Sequence, residues 1–241
     1  MHFQFSLIIW GCLRKQIIND FIQSFSSINL GGNFKEIVTN PLTILTLIGV
    51  LIILVLLIKA KDIKFDAKML TTIGIALALT AVLNMLKIYK FPQGGGITLG
   101  SMIPIILIAY AYGPLVGMLT GFLFGIISLF IDPYILHPVQ VLFDYPIPYM
   151  ALGVAGFFKN HRISGAVVAI FLKFLAHFIS GVVFFGSFAP EGMSPILYSF
   201  LVNGSLIGAD GLICVILLGI LPVNRLIKAI SSKSVTSKYA S

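Results

Sequence analysis

Charge is what this sequence has least of: of 241 residues only 10% are Asp, Glu, Lys or Arg, while 58% are hydrophobic. An ordinary soluble domain carries about 25% charged residues, so a water-soluble fold could not cover this much apolar surface. Cysteine is nearly absent, and Cys12 and Cys214 lie too far apart in sequence to read as a disulfide framework or a paired-cysteine metal site. No G-x-x-x-x-G-K-[ST] stretch is present to cradle ATP phosphates, and neither H-E-x-x-H nor a G-x-S-x-G elbow occurs. Nothing therefore points to an enzyme, and no cofactor or metal is expected. The two halves show no similarity of the kind that marks inverted-repeat secondary transporters. Acidic residues are scarcer than basic ones, 8 against 16, for a net charge of +8. In a soluble chain that excess would raise nucleic acid as a partner. Here the Lys and Arg residues cluster at the ends of apolar runs, where they anchor helices and set topology, so nucleic acid is excluded and membrane lipid takes its place.

What the sequence does have is long apolar runs without alternation. Only helices and closed barrels satisfy every backbone group in lipid, and a crossing helix needs roughly 20 apolar residues. The reading is an all-α integral membrane protein. Leu42 to Ile58 and Met69 to Leu86 each read as one span. Phe91 to Ile131 carries no charge and breaks only at Gly113-Pro114, which predicts a tight hairpin of two spans. A span from near Asp144 to Phe158, one from Ile163 to Phe185 and one from Tyr198 to Leu221 complete a count of seven, the last six forming the compact unit. Residues 1–40 read as an N-terminal extension, 41–60 as an additional transmembrane helix, 66–224 as the six-helix domain and 225–241 as a basic cytoplasmic tail. Within the extension, Phe3 to Phe25 reads as an interfacial helix with Arg14 and Lys15 outside the apolar core, the alternative being a processed lipoprotein signal around Cys12.

The basic connectors around Lys64, around Arg162 and after Arg225 fall on one side, whereas the loops at Asp132 and Glu191 hold no Lys or Arg. The positive-inside rule places the first group, and the C-terminus, in the cytoplasm. Lys87 and Lys90 are the one discordant cluster.

Ionisable groups inside spans are costly and face a cavity or a partner. Four occur: Asp144, Lys173, His177 and Asp210. Lys173, His177, Gly181 and Phe185 recur every four residues and so form one slowly winding stripe on their helix. It offers a cation, an imidazole, a gap without a side chain and an aromatic ring. Each residue alone also fits a structural role, with Lys173 paired to a carboxylate and His177 capping a carbonyl. Asp210 is read as the structural ion partner of Lys173. The last span opens with Tyr198 and Asn203, fitted either to hydrogen-bond a heterocycle or to hold helices together.

Three stretches carry a resemblance: Phe91-Pro-Gln-Gly-Gly-Gly-Ile-Thr-Leu-Gly-Ser-Met-Ile-Pro104, His137-Pro-Val-Gln-Val-Leu-Phe-Asp-Tyr145, and Ala189 through Gly204 with Pro-Glu-Gly-Met-Ser-Pro at its head. In this order they resemble the thiamine-specific S component (ThiT) family of energy-coupling factor (ECF) transporters, over roughly Met69 to Leu221. The resemblance implies a six-helix S-component bundle, to which residues 41–60 would add a helix. It places the family's vitamin pocket on Asp144, Tyr145, Lys173, His177, Gly181, Phe185, Tyr198 and Asn203. Some members of the family carry tryptophan where Phe185 stands, and Trp10 lies outside the covered region.

The resemblance further implies thiamine as ligand, captured at the external face of the cell membrane. It also implies two ATPase subunits and a membrane scaffold docking on small residues of the first core helix. Gly74, Ala76 and Ala78 offer that spacing, although Thr80 interrupts the family's Ala-x-x-x-Ala pattern. The alternatives are an S component for riboflavin or for the thiamine precursor hydroxymethylpyrimidine, and a stand-alone proton-coupled secondary transporter.

Overall fold

A computed structural model describes residues 41–231. The expected N-terminal interfacial helix and most of the basic tail lie outside the described residues. The chain divides into two compact units at Leu45/Thr46, and everything described below other than the first turn of α1 belongs to the second.

The elements, in order, are α1 (Pro41–Ala60), α2 (Ala67–Met85), β1 (Lys87–Lys90), β2 (Gly96–Thr98), α3 (Ile103–Tyr112), α4 (Pro114–Ile131), α5 (Pro138–Asp144), α6 (Pro146–Ala151), a 3-10 segment (Leu152–Phe157), α7 (Arg162–Phe184), α8 (Pro195–Ile220) and α9 (Val223–Ser231). The protein is an all-α membrane protein, and five of these helices, α1, α2, α4, α7 and α8, are long and apolar enough to cross a bilayer. The ends of several follow local chemistry. Asp66 caps α2 by accepting from Met69 N (2.7 Å), and Ser194 caps α8 by accepting from Leu197 N (3.2 Å).

Two of the seven expected spans take another form. The stretch from Phe91 is not helical until Ile103. It closes an antiparallel hairpin instead, β1 on β2, turned through Gly94 and Gly95 at φ 90° and 75°. Such angles suit glycine and forbid helix continuation. What remains, α3, has ten residues and so rises only about 15 Å. The span expected from Asp144 to Phe158 is broken into α5, α6 and the 3-10 segment. Pro146 and Pro148 lack the N–H groups that a continuous helix needs, and Tyr145 before Pro146 leaves the helical region at φ −118°, ψ −80°.

That broken segment is pressed against α4 by a row of glycines at four-residue spacing. A Cβ on Gly121 or Gly125 would collide with backbone of Tyr149 or of Tyr145 and Pro146, and one on Gly117 would strike Ala109 of α3 and lie 3.0 Å from Gly153 Cα. Backbones that meet so closely substitute direct packing for the hydrophobic drive that lipid does not supply. The contact holds Tyr145 and Tyr149 in fixed places on the inner wall. Beneath it lies a core of Met102, Ile105, Ile106, Phe124 and Leu152, in which Phe124 meets Tyr149 edge to face at 4.7 Å.

The helix α9 lays Val223 and Ile227 on this core, and its backbone accepts from Tyr112 OH at Ile230 O (3.0 Å). The discordant Lys87 and Lys90 also find an explanation: both bind the carboxylate of Asp132, Lys90 at 2.9 Å. The hairpin brings them to an acidic loop that is distant in sequence.

Candidate ligand-binding site

One cavity opens between the hairpin, the end of α4, the α5–α6 corner, α7 and α8, enclosing about 1050 Å³ of space that is partly open to solvent. All eight ligand-site residues expected from the sequence line it: Asp144, Tyr145, Lys173, His177, Gly181, Phe185, Tyr198 and Asn203.

Asp144 ends α5, where the break before Pro146 turns the chain, and its carboxylate is held from two sides. His177 Nδ1 lies 3.3 Å from Oδ1, and Gln140 Nε2 donates to Oδ2 at 2.5 Å. Gln140 is itself fully engaged. It donates to Tyr134 O (3.0 Å) and accepts from Leu136 N (3.0 Å), which ties the carboxylate to the loop after α4. Tyr145 presents its ring to the cavity but commits its hydroxyl to the same loop, donating to Asp132 O (3.0 Å) and accepting from Tyr134 N (2.7 Å). Tyr134 then stacks on Phe185, with ring centroids 5.8 Å apart. Asp132 lies outside the helices. Burial pushes its carboxyl upward, but the ammonium groups of Lys87 and Lys90 outweigh that and hold it below the ordinary value.

The stripe on α7 is real, with two corrections. Lys173 is only 6% exposed, yet its expected partner Asp210 is engaged elsewhere: Oδ1 of Asp210 accepts from Thr98 N (2.8 Å) and from the Thr98 hydroxyl (2.7 Å) on β2. Among the described residues Lys173 has no ion pair, and its ammonium sits 4.3 Å from the centroid of the Tyr149 ring. A cation over an aromatic face gains electrostatic attraction without a carboxylate.

Gly181 is the second correction, because the missing side chain serves the neighbouring helix before any ligand. A Cβ there would strike Ser199 Oγ and come within 2.7 Å of Asn203 Nδ2. Those two groups brace α8 on α7, with Ser199 Oγ donating to Phe178 O (2.7 Å) and Asn203 Nδ2 donating to His177 O (3.3 Å).

Sequence reasoning passed over Asn84, Lys87, Asp132, Tyr134, Gln140 and Tyr149, which also line the cavity. Asn84, 7% exposed, donates to Tyr149 OH at 3.2 Å. It was legible as the one amide in an apolar helix.

The small residues on α2 separate by face. Gly74 and Ala78 are exposed, and a Cβ on Gly74 would meet nothing within 4 Å. Ala76, 7% exposed, packs inward with Ile73, Ile108 and Val116. It does not belong to the outward face on which it was expected.

With the geometry in hand, comparison with known proteins is specific. The thiamine transporter protein family profile matches residues 70–230. The thiamine transporter ThiT of Bacillus subtilis is 36% identical over 171 residues, covering 63% of this chain and 88% of that one. ThiT of Lacticaseibacillus paracasei is 28% identical over 161 residues, covering 58% and 80%. Among solved structures, ThiT from Listeria monocytogenes superposes with a TM-score of 0.60 at 22% identity, over 66% of this chain and 96% of that one, a likeness of fold. The matched region holds every residue of the cavity and leaves α1 outside it, and on this match the chain belongs to the thiamine transporter protein family.

Proposed function

We propose that this protein is the substrate-binding membrane subunit of an ATP-driven importer of the energy-coupling factor class, and that it captures thiamine at the external face of the cell membrane. The observation that carries the reading is the Asp144 carboxylate, fixed by Gln140 and His177 inside a cavity walled by Tyr134, Tyr145, Phe185 and Tyr198. Thiamine combines a permanent thiazolium charge with an aminopyrimidine ring. A preset anion favours the charge, aromatic faces take both rings, and a few directed polar groups fix orientation. Asn203, His177 and Lys173 supply those groups.

The orientation follows the charge distribution. Lys59, Lys61, Lys64, Arg162, Arg225 and Lys228 would face the cytoplasm together with the C-terminus, and the cavity end would face outward. The lack of a nucleotide-binding motif assigns energy use to partners, two ATPase subunits and a scaffold. The exposed Gly74 and Ala78 on α2 present a face on which a scaffold helix can approach closely.

Two measurements test this. Titration of the purified chain with thiamine should show saturable binding that ATP does not alter. Vesicles holding the chain alone should show no concentrative uptake, and uptake should appear when scaffold and ATPase subunits are added. Gly74→Leu and Ala78→Leu should then reduce uptake and spare binding. Proton-dependent accumulation by the chain alone would overturn the reading in favour of a secondary transporter.

A further inference from the structure

A second hollow lies on the outside of the bundle, in the seam between α7 and α8. It encloses about 860 Å³ of space open along one side, and every residue that lines it is glycine, aliphatic or phenylalanine. Phe171 and Phe174 stand on the α7 side, Leu212 and Val215 on the α8 side. Gly204 and Gly208 keep it deep: a Cβ on Gly208 would meet nothing within 4 Å, and one on Gly204 only the edge of the Phe174 ring, at 3.8 Å. Phe171 and Leu212 are exposed, so the furrow faces the hydrocarbon of the membrane. Left empty, it would forfeit the dispersion contacts of its walls. Something apolar therefore fills it.

The length of the furrow and the chemistry at its end identify the occupant. From Gly204 to Val215 α8 rises about 16 Å, close to the roughly 15 Å that one leaflet contributes to the hydrocarbon core. Val215 lies about 8 Å short of the end of α8 at Ile220, and two residues later the chain enters α9. Arg162, the first residue of α7, donates through Nη1 to Asn224 Oδ1 of α9. The first turn of α9 is thereby tied across the ends of α7 and α8, with the exposed Arg225 next to Asn224 and Lys228 one turn further on. Val223 and Ile227, on the other face of α9, are packed on the core. Among the described residues Arg162, Arg225 and Lys228 have no ion pair, and Arg162 Nε has no hydrogen-bond acceptor. Neither α7 nor α9 contains an Asp or Glu.

We propose that the furrow is the site of one anionic phospholipid, with an acyl chain lying between α7 and α8 and the phosphate held by Arg162 and Arg225. The lipid belongs to the leaflet at the end of the bundle opposite the cavity, the cytoplasmic one in the orientation proposed above. A guanidinium binds phosphate oxygens in two parallel bonds, whereas a zwitterionic headgroup brings its own cation to the same place. An apolar helix of a protein partner would fill the furrow and leave the two cations unanswered.

The test is native mass spectrometry of the full-length protein in detergent, titrated with phosphatidylglycerol or with phosphatidylcholine of the same acyl chains. Wild type should retain one phosphatidylglycerol per chain and prefer it to phosphatidylcholine by about tenfold or more. Arg225→Gln should cut that preference by about fivefold, whereas Lys64→Gln, which removes a cation from the loop before α2, should leave it unchanged. Gly208→Leu fills the furrow without striking the protein, so it should weaken both lipids equally while circular dichroism shows the helices intact. Equal retention of the two lipids by wild type, or a preference that Arg225→Gln and Lys64→Gln reduce alike, would make the basic residues general anchors and overturn the phosphate site. Unchanged lipid retention in Gly208→Leu would mean that the furrow holds no acyl chain. Should that variant instead dissolve a dimer present in the wild-type spectra, or lose a co-expressed scaffold subunit, the occupant is a protein and the proposal fails.

Discussion

The helices α1 and α7 look alike as strings of letters, each about twenty apolar residues with a basic residue at one end, and they have opposite relations to the rest of the molecule. On α1 only Gly49 and Leu56 are buried, and Leu47, Leu51, Val55 and Ile58 are 50% or more exposed. On α7 the buried set is Gly165, Ala166, Ala169, Ile170, Lys173, Ala176, Ser180 and Gly181, while Phe171 and Val183 point outward. The residues turned inward on α7 are thus mostly small or polar and those turned outward large and apolar, the reverse of a helix in a water-soluble protein. In lipid the large apolar residues lose nothing by exposure, and close helix contact is won by small ones. What sets α7 apart is its break with its own apolar surroundings, and α1 has no such break.

That contrast can be broken by mutation, most severely at Gly181. Gly181→Leu should reduce thiamine binding by more than about a hundredfold, because even a methyl would collide with the groups that brace α8. Far-UV circular dichroism should show the helices intact, and Gly181→Ala should fall between the two. Retained affinity in Gly181→Leu would mean that α7 and α8 can separate without disturbing the cavity.

Next in size is Asp144→Asn. Loss of one charge-assisted partner should weaken thiamine by about ten- to a hundredfold and leave hydroxymethylpyrimidine, which has no thiazolium, nearly unaffected. Calorimetric titration with both ligands gives the comparison, and equal losses would remove Asp144 from the cation's side of the cavity.

A smaller effect is expected at the hairpin. Asp132→Asn frees Lys87 and Lys90 from the loop after α4. Partly exposed ion pairs are worth about 0.2–1 kcal/mol, so affinity should fall by no more than about fivefold, and less at high salt. The pH dependence has a definite sign. The folded-state pKa of Asp132 is depressed, so its stabilisation is complete above the unfolded value of about 3.9 and is lost as pH falls below it through the folded value. Thermal stability of Asp132→Asn relative to wild type should therefore be constant from pH 8 to pH 5, and the difference should close only below about pH 4. A difference that closed near neutrality would place the relevant titration elsewhere.

The smallest effect belongs to α1. Leu54→Ala and Leu57→Ala, at 48% and 43% exposure, should leave binding unchanged and stability within about 0.5 kcal/mol. A marked loss in either would make α1 part of the binding unit.

Much of the site was legible in the sequence because it departs from its background. Four residues at four-residue spacing align on a helix whatever surrounds it, which is why Lys173, His177, Gly181 and Phe185 could be grouped. Asn84 and Gln140 were equally visible as polar residues among apolar ones, and Gln140 lies within the stretch from His137 to Tyr145. Pro146 and Pro148 stand in the sequence as breaks, yet by hydropathy alone the apolar run from Asp144 to Phe158 reads as one span, and its close packing on the glycines of α4 depends on two segments that no local pattern pairs. The pairing of Asp210 was not legible. Its choice between Lys173 and Thr98 depends on where a hairpin of seven strand residues comes to rest against α8, and no local pattern encodes that.

By itself, then, the sequence determined that this is a membrane-spanning helical protein, where its long helices run and which few residues interrupt them. Hydropathy and helical period act over one or two turns, and they survive any tertiary arrangement. Only the tertiary structure decided what those interruptions touch: Lys87 and Lys90 on Asp132, Thr98 on Asp210, Ser199 and Asn203 against the bare flank of Gly181. Each of those contacts joins segments far apart in the chain, and a hydrogen bond or ion pair forms over about 3 Å. The positions of whole helices must be settled before such a distance can be met.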